Sequence, residues 1–190
     1  MTSEFLHLGP TILKTQISDT MLLDLRNHVN DLLTGPHSDY SSDLAGKNTH
    51  QYVLEYQVVN NTGLKEFILN SGHEYLKQFN AYEPLQIMSA WVNVCEYADY
   101  NPIHEHNGLF SGVLYIDCPQ SSHDSSNKRV PLTDGHTQFI FGQELRFSNA
   151  ILTTYPKPGT LLLFPSWLMH IAYPSRSQLN RTTISFNLGI

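Results

Sequence analysis

The sequence is poor in cysteine and in charge, and it has no long apolar run. Two cysteines, Cys95 and Cys118, occur among 190 residues, and 15% of the residues are charged. A disulfide-rich scaffold needs more cysteines, and there is no Cys-x-x-Cys motif. The sequence therefore predicts two reduced thiols, with one bridge between them as the alternative. No apolar stretch approaches the roughly 18 residues of a membrane-spanning helix.

Two further absences narrow the class of protein. The formal net charge is −6 and no basic stripe stands out, so we expect no nucleic-acid partner. Residues 1–16, MTSEFLHLGPTILKTQ, lack the charged segment followed by an apolar run that makes a signal peptide. The sequence therefore predicts a soluble, cytoplasmic protein without a membrane segment.

The hydrophobic content is that of a globular protein, and aromatic residues are frequent. Hydrophobic residues make up 41% of the chain, with ten Tyr and nine Phe, which favours strands and a packed interior. The length suits one domain with a real core. We therefore predict a single domain over residues 1–190.

Residues 1–84 are predicted to be the helical or mixed part of that domain. Ser18 or Asp19 can cap a helix whose apolar residues share one face and which ends at Gly35. A second helix is predicted over residues 62–80. QYVLEYQVV, residues 51–59, has the composition of a strand.

From residue 85 onward, short β-rich runs are separated by Pro, Gly, Asn and Asp. Helices first and strands afterwards predict an α+β, mainly β fold, with helices packed on an antiparallel sandwich or barrel. Two polar loops, 34–50 and 117–136, are candidates for binding a substrate. The β-rich runs are IMSAWVNVCEY, LFSGVLYID, TQFIF, AILTTY, TLLLFP and TTISFNLGI.

The strongest chemical signal is the His-x-His pair formed by His104 and His106. Residues i and i+2 of an extended strand point to the same face, so two imidazoles there can bind one metal ion. The ordinary alternative is a solvated strand end. His170 follows an apolar run and offers a third nitrogen ligand from a distant strand, although alone it is typical of a core histidine. Three protein ligands that leave open positions are typical of a catalytic metal.

Arg181 begins the alternating strand RTTISFNL and shares a face with Thr183 and Ser185. That polar face could simply lie in water. The turn-rich link PSRSQLN, however, allows a hairpin that would place Arg181 on the strand beside His170. A guanidinium near a metal, among hydroxyl groups, is suited to bind a carboxylate.

Taken together, these pieces resemble the 2-oxoglutarate/Fe(II) dioxygenases, and among them the oxygenases encoded in phage and bacterial genomes. The resemblance spans roughly residues 85–190. The matching segments are WVNV, HEH, LFSGVLYID, the turn PKPG before LLLFPSWLMH, and RTTISFN.

The resemblance implies a double-stranded β-helix (jelly roll) over 85–190, buttressed by the N-terminal helices. It implies Fe(II), 2-oxoglutarate and O2 as cofactor and cosubstrates, with succinate and CO2 released as an unidentified substrate is hydroxylated. His104 and His170 would be metal ligands, and Arg181 would bind the distal carboxylate of 2-oxoglutarate. The further cofactor-binding candidates are Tyr115, Ser185 and Asn93.

The chain departs from the family at one ligand. Most members have a carboxylate where His106 stands, and Glu105 points to the other face of a strand. We therefore predict His104, His106 and His170 as a three-His site that holds Fe(II) less tightly. Two alternatives remain open: a three-His cupin-type metalloenzyme without 2-oxoglutarate, and a non-enzymatic jelly-roll module that binds a ligand or belongs to a virion. The substrate is not identified by the sequence, and we expect a peptide or protein side chain or a small molecule.

Overall fold

The computed structural model describes residues 9–35, 50–118, 135–175 and 179–190. Most of the two predicted substrate loops, 34–50 and 117–136, lies outside these ranges. Among the described residues, no helix is both long enough and apolar enough to cross a bilayer.

In the described part of the first half of the chain, three helices form: α1 over Asp19–Thr34, α2 over Tyr56–Asn61 and α3 over Leu64–Lys77. The side chain of Ser18 accepts a hydrogen bond from the amide of Met21 at 3.2 Å, so the predicted cap of α1 is confirmed. The second predicted helix is confirmed as α3, shorter at both ends.

The strand predicted over residues 51–59 is only half right. Strand β2 covers His50–Val53 only, and residues from Tyr56 onward form α2. Tertiary packing overrides local strand propensity here, because a helical turn lets Val59 enter the core at 3% exposure.

Within the described ranges, ten strands form two antiparallel sheets. A six-stranded sheet has the order β1-β8-β5-β10-β3-β2, and a four-stranded sheet has the order β4-β9-β6-β7. The region 1–84 supplies two edge strands as well as the helices. The strands are β1 Leu13–Gln16, β2 His50–Val53, β3 Gln86–Cys95, β4 Asn101–His104, β5 Phe110–Asp117, β6 Thr137–Ile140, β7 Ile151–Thr154, β8 Thr160–Pro165, β9 His170–Ala172 and β10 Arg181–Gly189.

The larger sheet is buried on both faces. Its outer face carries Ile184, Phe186 and Leu188, all 0% exposed, which belong to the main core together with residues of the helices. Its inner face meets the smaller sheet through a second cluster that includes Tyr115 and Phe139. The polar residues of β10 therefore face the space between the sheets. This excludes the alternative in which the polar face that carries Arg181 lies in bulk water.

The turn PKPG needs its glycine. Gly159 has φ of +80°, a conformation that other residues rarely adopt, and it reverses the chain into the buried strand β8. The apolar run after the turn thereby enters the centre of the larger sheet.

Cys95 and Cys118 are both thiols, as predicted. Cys95 is paired with Arg181 on one side of β10, whereas Asp117, the residue before Cys118, is paired with Thr182 on the other. Two strand spacings amount to about 9–10 Å, beyond the reach of a disulfide.

Both thiols should react slowly in the folded protein. Burial raises the pKa of the Cys118 thiol to about 12, and burial also raises the pKa of Cys95. At pH 8 we expect Cys118 to be alkylated more slowly in the native than in the denatured protein, by roughly a hundredfold or more, and Cys95 to be slower as well. A thiol titration checks this: two groups should react quickly in denaturant without reductant. Rapid reaction of both thiols in the native state would contradict it.

Candidate active site

Three imidazoles meet between the two sheets. His104 on β4 and His170 on β9 are direct cross-strand partners, which puts them on the same face although 66 positions separate them in the sequence. His106 completes the group, and the possible ligand atoms of the three residues all lie within 4.8 Å of one another. Their ring centroids are 4.2 to 5.1 Å apart.

The expectation that His104 and His106 share one strand is wrong. Strand β4 ends at His104, and His106 lies in the segment that follows it. The amide of His106 donates to the carbonyl of Ser166 at 3.0 Å, which holds this segment against the end of β8. Glu105 is exposed and does not contribute to the group. The three imidazoles are thus brought together by a tertiary contact and not by strand alternation alone.

Backbone carbonyls orient two of the three rings. Nδ1 of His104 lies 2.6 Å from the carbonyl of Pro102, and Nδ1 of His170 lies 2.9 Å from the carbonyl of Leu168. When Nδ1 carries the proton, Nε2 keeps the lone pair that a metal requires.

Burial keeps these imidazoles neutral. It lowers the pKa of His170 to about 3 and that of His106 to about 4, and it also lowers the pKa of His104. At neutral pH the three rings are therefore unprotonated, which is the form that binds a metal.

Arg181 is a buried cation on the opposite sheet. Its side chain is 4% exposed, its Nη2 donates to Thr137 Oγ1 at 3.1 Å, and its guanidinium lies 5.2 Å from the centre of the Tyr115 ring. Nε is buried and has no hydrogen-bond partner among the described residues. A buried charge with an unpartnered donor destabilises the folded protein unless an anion binds to it.

The predicted hairpin between His170 and Arg181 is wrong. Strand β9 pairs with β4 and β6 in the smaller sheet, whereas β10 lies between β5 and β3 in the larger one. The link crosses from one sheet to the other, as jelly-roll topology requires. Arg181 nevertheless lines the same cavity as the three histidines, because the two sheets face each other.

Tyr115 lies behind the cavity. Its hydroxyl donates to Thr137 Oγ1 at 2.6 Å, so Thr137 accepts from both Tyr115 and Arg181. Thr137 lines the cavity, and sequence reasoning missed it. The signal was present, because the run TQFIF alternates and places Thr137 on the same face as the buried Phe139.

Asn93 and Ser185 lie on adjacent strands and line the cavity. Asn93 donates to Ser185 Oγ at 2.9 Å and accepts from the indole of Trp91 at 3.2 Å and from Gln51 at 2.7 Å. Trp91 is buried and also lines the cavity, 5.7 Å from the His106 ring. This wall is polar and internally hydrogen-bonded, which fixes its shape.

The donor set fits a divalent metal together with a dicarboxylate. Three neutral nitrogens at one end of the cavity suit a metal of the Fe(II) or Zn(II) kind and leave positions open. The guanidinium of Arg181, with its unpartnered Nε, and the Thr137 hydroxyl suit a carboxylate.

Comparison with known proteins gives one family. The model of the family described as "Putative 2OG-Fe(II) oxygenase" matches residues 89–187, just over half of the chain. The matched range contains all three histidines and Arg181. No curated protein matches the chain.

Solved structures share the fold at low identity. A prolyl-4-hydroxylase from Pseudomonas putida has a TM-score of 0.66 at 11% identity, over 93% of this chain and 91% of that one. HygX from Streptomyces hygroscopicus, with nickel, 2-oxoglutarate and hygromycin B bound, has 0.67 at 13%, over 94% and 82%. A Trichoplax adhaerens prolyl hydroxylase in complex with a hypoxia inducible factor peptide fragment has 0.61 at 13%, over 94% and 82%. These similarities confirm the predicted double-stranded β-helix.

Proposed function

Because the chain belongs to the 2OG-Fe(II) oxygenase family, we propose that it hydroxylates a substrate at the cavity between its two sheets. The family depends on Fe(II), 2-oxoglutarate and O2. When bound, these groups supply the oxidising power, and succinate and CO2 are the coproducts. The protein supplies position, charge and shelter from water.

Three residues are proposed to hold the iron: His104, His106 and His170. The proximity of their ligand atoms supports this, as do the two Nδ1 contacts that direct Nε2 into the cavity. Neutral nitrogens leave the charge of the metal uncompensated, so the anionic keto-acid end of 2-oxoglutarate is favoured there.

Arg181 is proposed to bind the far carboxylate of 2-oxoglutarate. The single observation that carries the proposal is the buried guanidinium, whose Nε has no hydrogen-bond partner among the described residues, in the cavity that the three imidazoles line. Thr137 accepts two hydrogen bonds and has its own hydroxyl proton to donate to the same carboxylate. Tyr115 then acts through Thr137, and Ser185 and Asn93 shape the adjoining wall.

Neither alternative function gains support. A three-His enzyme that does not use 2-oxoglutarate leaves the buried guanidinium unexplained, and a non-enzymatic module explains neither the guanidinium nor the histidines.

The substrate is proposed to be a peptide side chain or a small molecule. Two structures of the same fold were solved with such molecules, a hypoxia inducible factor peptide and hygromycin B. A phage or bacterial source stays a prediction from the resemblance.

Turnover without the substrate tests the proposed function. The purified chain with Fe(II), 2-oxoglutarate and O2 should form succinate slowly, and omission of Fe(II) should abolish it. The amount of succinate, measured by chromatography with and without Fe(II), tests the proposed function. If none forms above the metal-free background, and 2-oxoglutarate gives no binding heat, the proposal is wrong.

Replacement of His106 should show what a carboxylate contributes at this position. We expect His106→Asp to raise Fe(II) affinity by roughly tenfold, because a negative charge is added beside the cation, and His106→Ala to lower it. Anaerobic calorimetric titration of Fe(II) measures both. If His106→Ala binds Fe(II) as tightly as the wild type, His106 is not a ligand.

A further inference from the structure

Asn101, the first residue of β4, places its amide beside the proposed metal position. Its side chain lines the cavity with the three histidines. Its Nδ2 lies 3.4 Å from Nε2 of His104, while its Oδ1 is buried and has no hydrogen-bond partner among the described residues. Because no described group donates to Oδ1, the amide is not fixed in its present orientation and can rotate.

The contact with His104 changes when a metal binds. Nδ1 of His104 faces the carbonyl of Pro102, so Nε2 holds the lone pair that accepts from Asn101. A metal at Nε2 uses that lone pair, and the Asn101 N–H then loses its acceptor. At 3.4 Å the present hydrogen bond is long and weak. Little free energy is therefore lost when the amide rotates towards a new acceptor. That acceptor must lie next to the metal.

We propose that Asn101 donates a hydrogen bond to the keto-acid end of 2-oxoglutarate, the end opposite the carboxylate bound by Arg181. This inference rests on the proposed function. A neutral amide suits the purpose because it donates to a carboxylate without adding negative charge.

Asn101 is a less suitable metal ligand. With three imidazoles holding the metal, the positions left open would be needed by a chelating keto acid and O2. A permanent fourth protein ligand would occupy one of them. The amide therefore acts as a positioning residue that fixes the orientation of the cosubstrate.

Two affinities measured on the full chain test this inference. Calorimetry under anaerobic conditions gives the Kd of Fe(II), and then the Kd of 2-oxoglutarate for the Fe(II)-loaded protein. For Asn101→Ala we expect 2-oxoglutarate to bind roughly tenfold more weakly or worse, because a hydrogen bond to a charged group is lost. The Fe(II) affinity should change by less than about threefold, because no ligand is removed.

Two further variants complete the design. Asn101→Asp keeps the shape of the side chain, so the same two affinities can be measured on it if Asn101→Ala does not fold. It should also weaken 2-oxoglutarate binding, because two carboxylates then face each other, without weakening Fe(II) binding. Asn27→Ala, an exposed asparagine on α1, is the matched control and should change neither affinity. The visible absorption of the anaerobic Fe(II)–2-oxoglutarate complex should shift in the Asn101 variants and not in the control.

The possible outcomes are separable. Unchanged 2-oxoglutarate affinity and absorption in both Asn101 variants would overturn the inference while leaving the proposed function intact. A loss of Fe(II) affinity with normal 2-oxoglutarate binding once loaded would also overturn it and make Asn101 a metal ligand. If the Fe(II)-loaded wild type binds no 2-oxoglutarate, the proposed function fails, and this inference fails with it.

Discussion

The His170→Ala protein should bind Fe(II) with an affinity lower by roughly a hundredfold or more. Loss of a ligand should cost at least as much as loss of a residue that only hydrogen-bonds to a ligand. His170 is 7% exposed, and among the described residues only His104 and His106 share its group of possible ligands, so none of these is left over to replace its nitrogen. His104→Ala should behave in the same way. Anaerobic calorimetry measures the affinity, and metal analysis measures the occupancy.

Thermal unfolding gives an independent measurement of the same loss. A metal that binds only the folded state stabilises the wild type by about 2.7 kcal/mol at a hundredfold excess over Kd. That increase should be absent in His170→Ala. Glu105→Gln is the control, because Glu105 is adjacent to two of the histidines but exposed, and it should retain the full increase. Full iron occupancy in both histidine variants would rule out the proposed site.

Arg181→Ala should reduce the affinity for 2-oxoglutarate by roughly a hundredfold or more without removing the metal. A bidentate contact between a buried guanidinium and a carboxylate contains two charge-assisted hydrogen bonds, each worth about 1.5–3 kcal/mol. Arg181→Lys keeps the charge but loses the planar fork, so its loss should be smaller. Calorimetry of 2-oxoglutarate with the Fe(II)-loaded proteins gives the ranking of wild type, Lys and Ala.

Two controls separate binding of the cosubstrate from support of the fold. Arg26 forms a half-exposed ion pair with Asp117 at 2.9 Å, and Arg26→Ala should leave the 2-oxoglutarate affinity unchanged. Arg181→Met should not lower the stability of the cosubstrate-free protein, because it removes a buried charge that has no anionic partner among the described residues. Equal 2-oxoglutarate affinity in the wild type, Lys and Ala proteins would mean that the carboxylate binds elsewhere.

Local sequence predicted helix α1 and the β-rich half of the chain well. The cap at Ser18 and the face of Leu22, Leu25 and Val29 act within one helix, so no distant contact is needed to specify them. The strand predicted over 51–59 failed for the opposite reason. Its apolar residues suit a strand or a helix equally, and the choice at Tyr56 was made by packing against the core.

The sequence by itself determined the identities and order of the site residues: His-x-His, then His170, then Arg181, a spacing specific enough to indicate the family. Only the tertiary structure decided how they meet. The pairing of β4 with β9 makes His104 and His170 neighbours, and the crossing from β9 to β10 puts Arg181 on the facing sheet. The tertiary structure also revealed Thr137 and Asn101, which belong to none of the sequence segments that indicate the family. Strand alternation determines which residues share a face of a strand. Which residues lie opposite that face depends on the pairing of strands that are far apart in the chain.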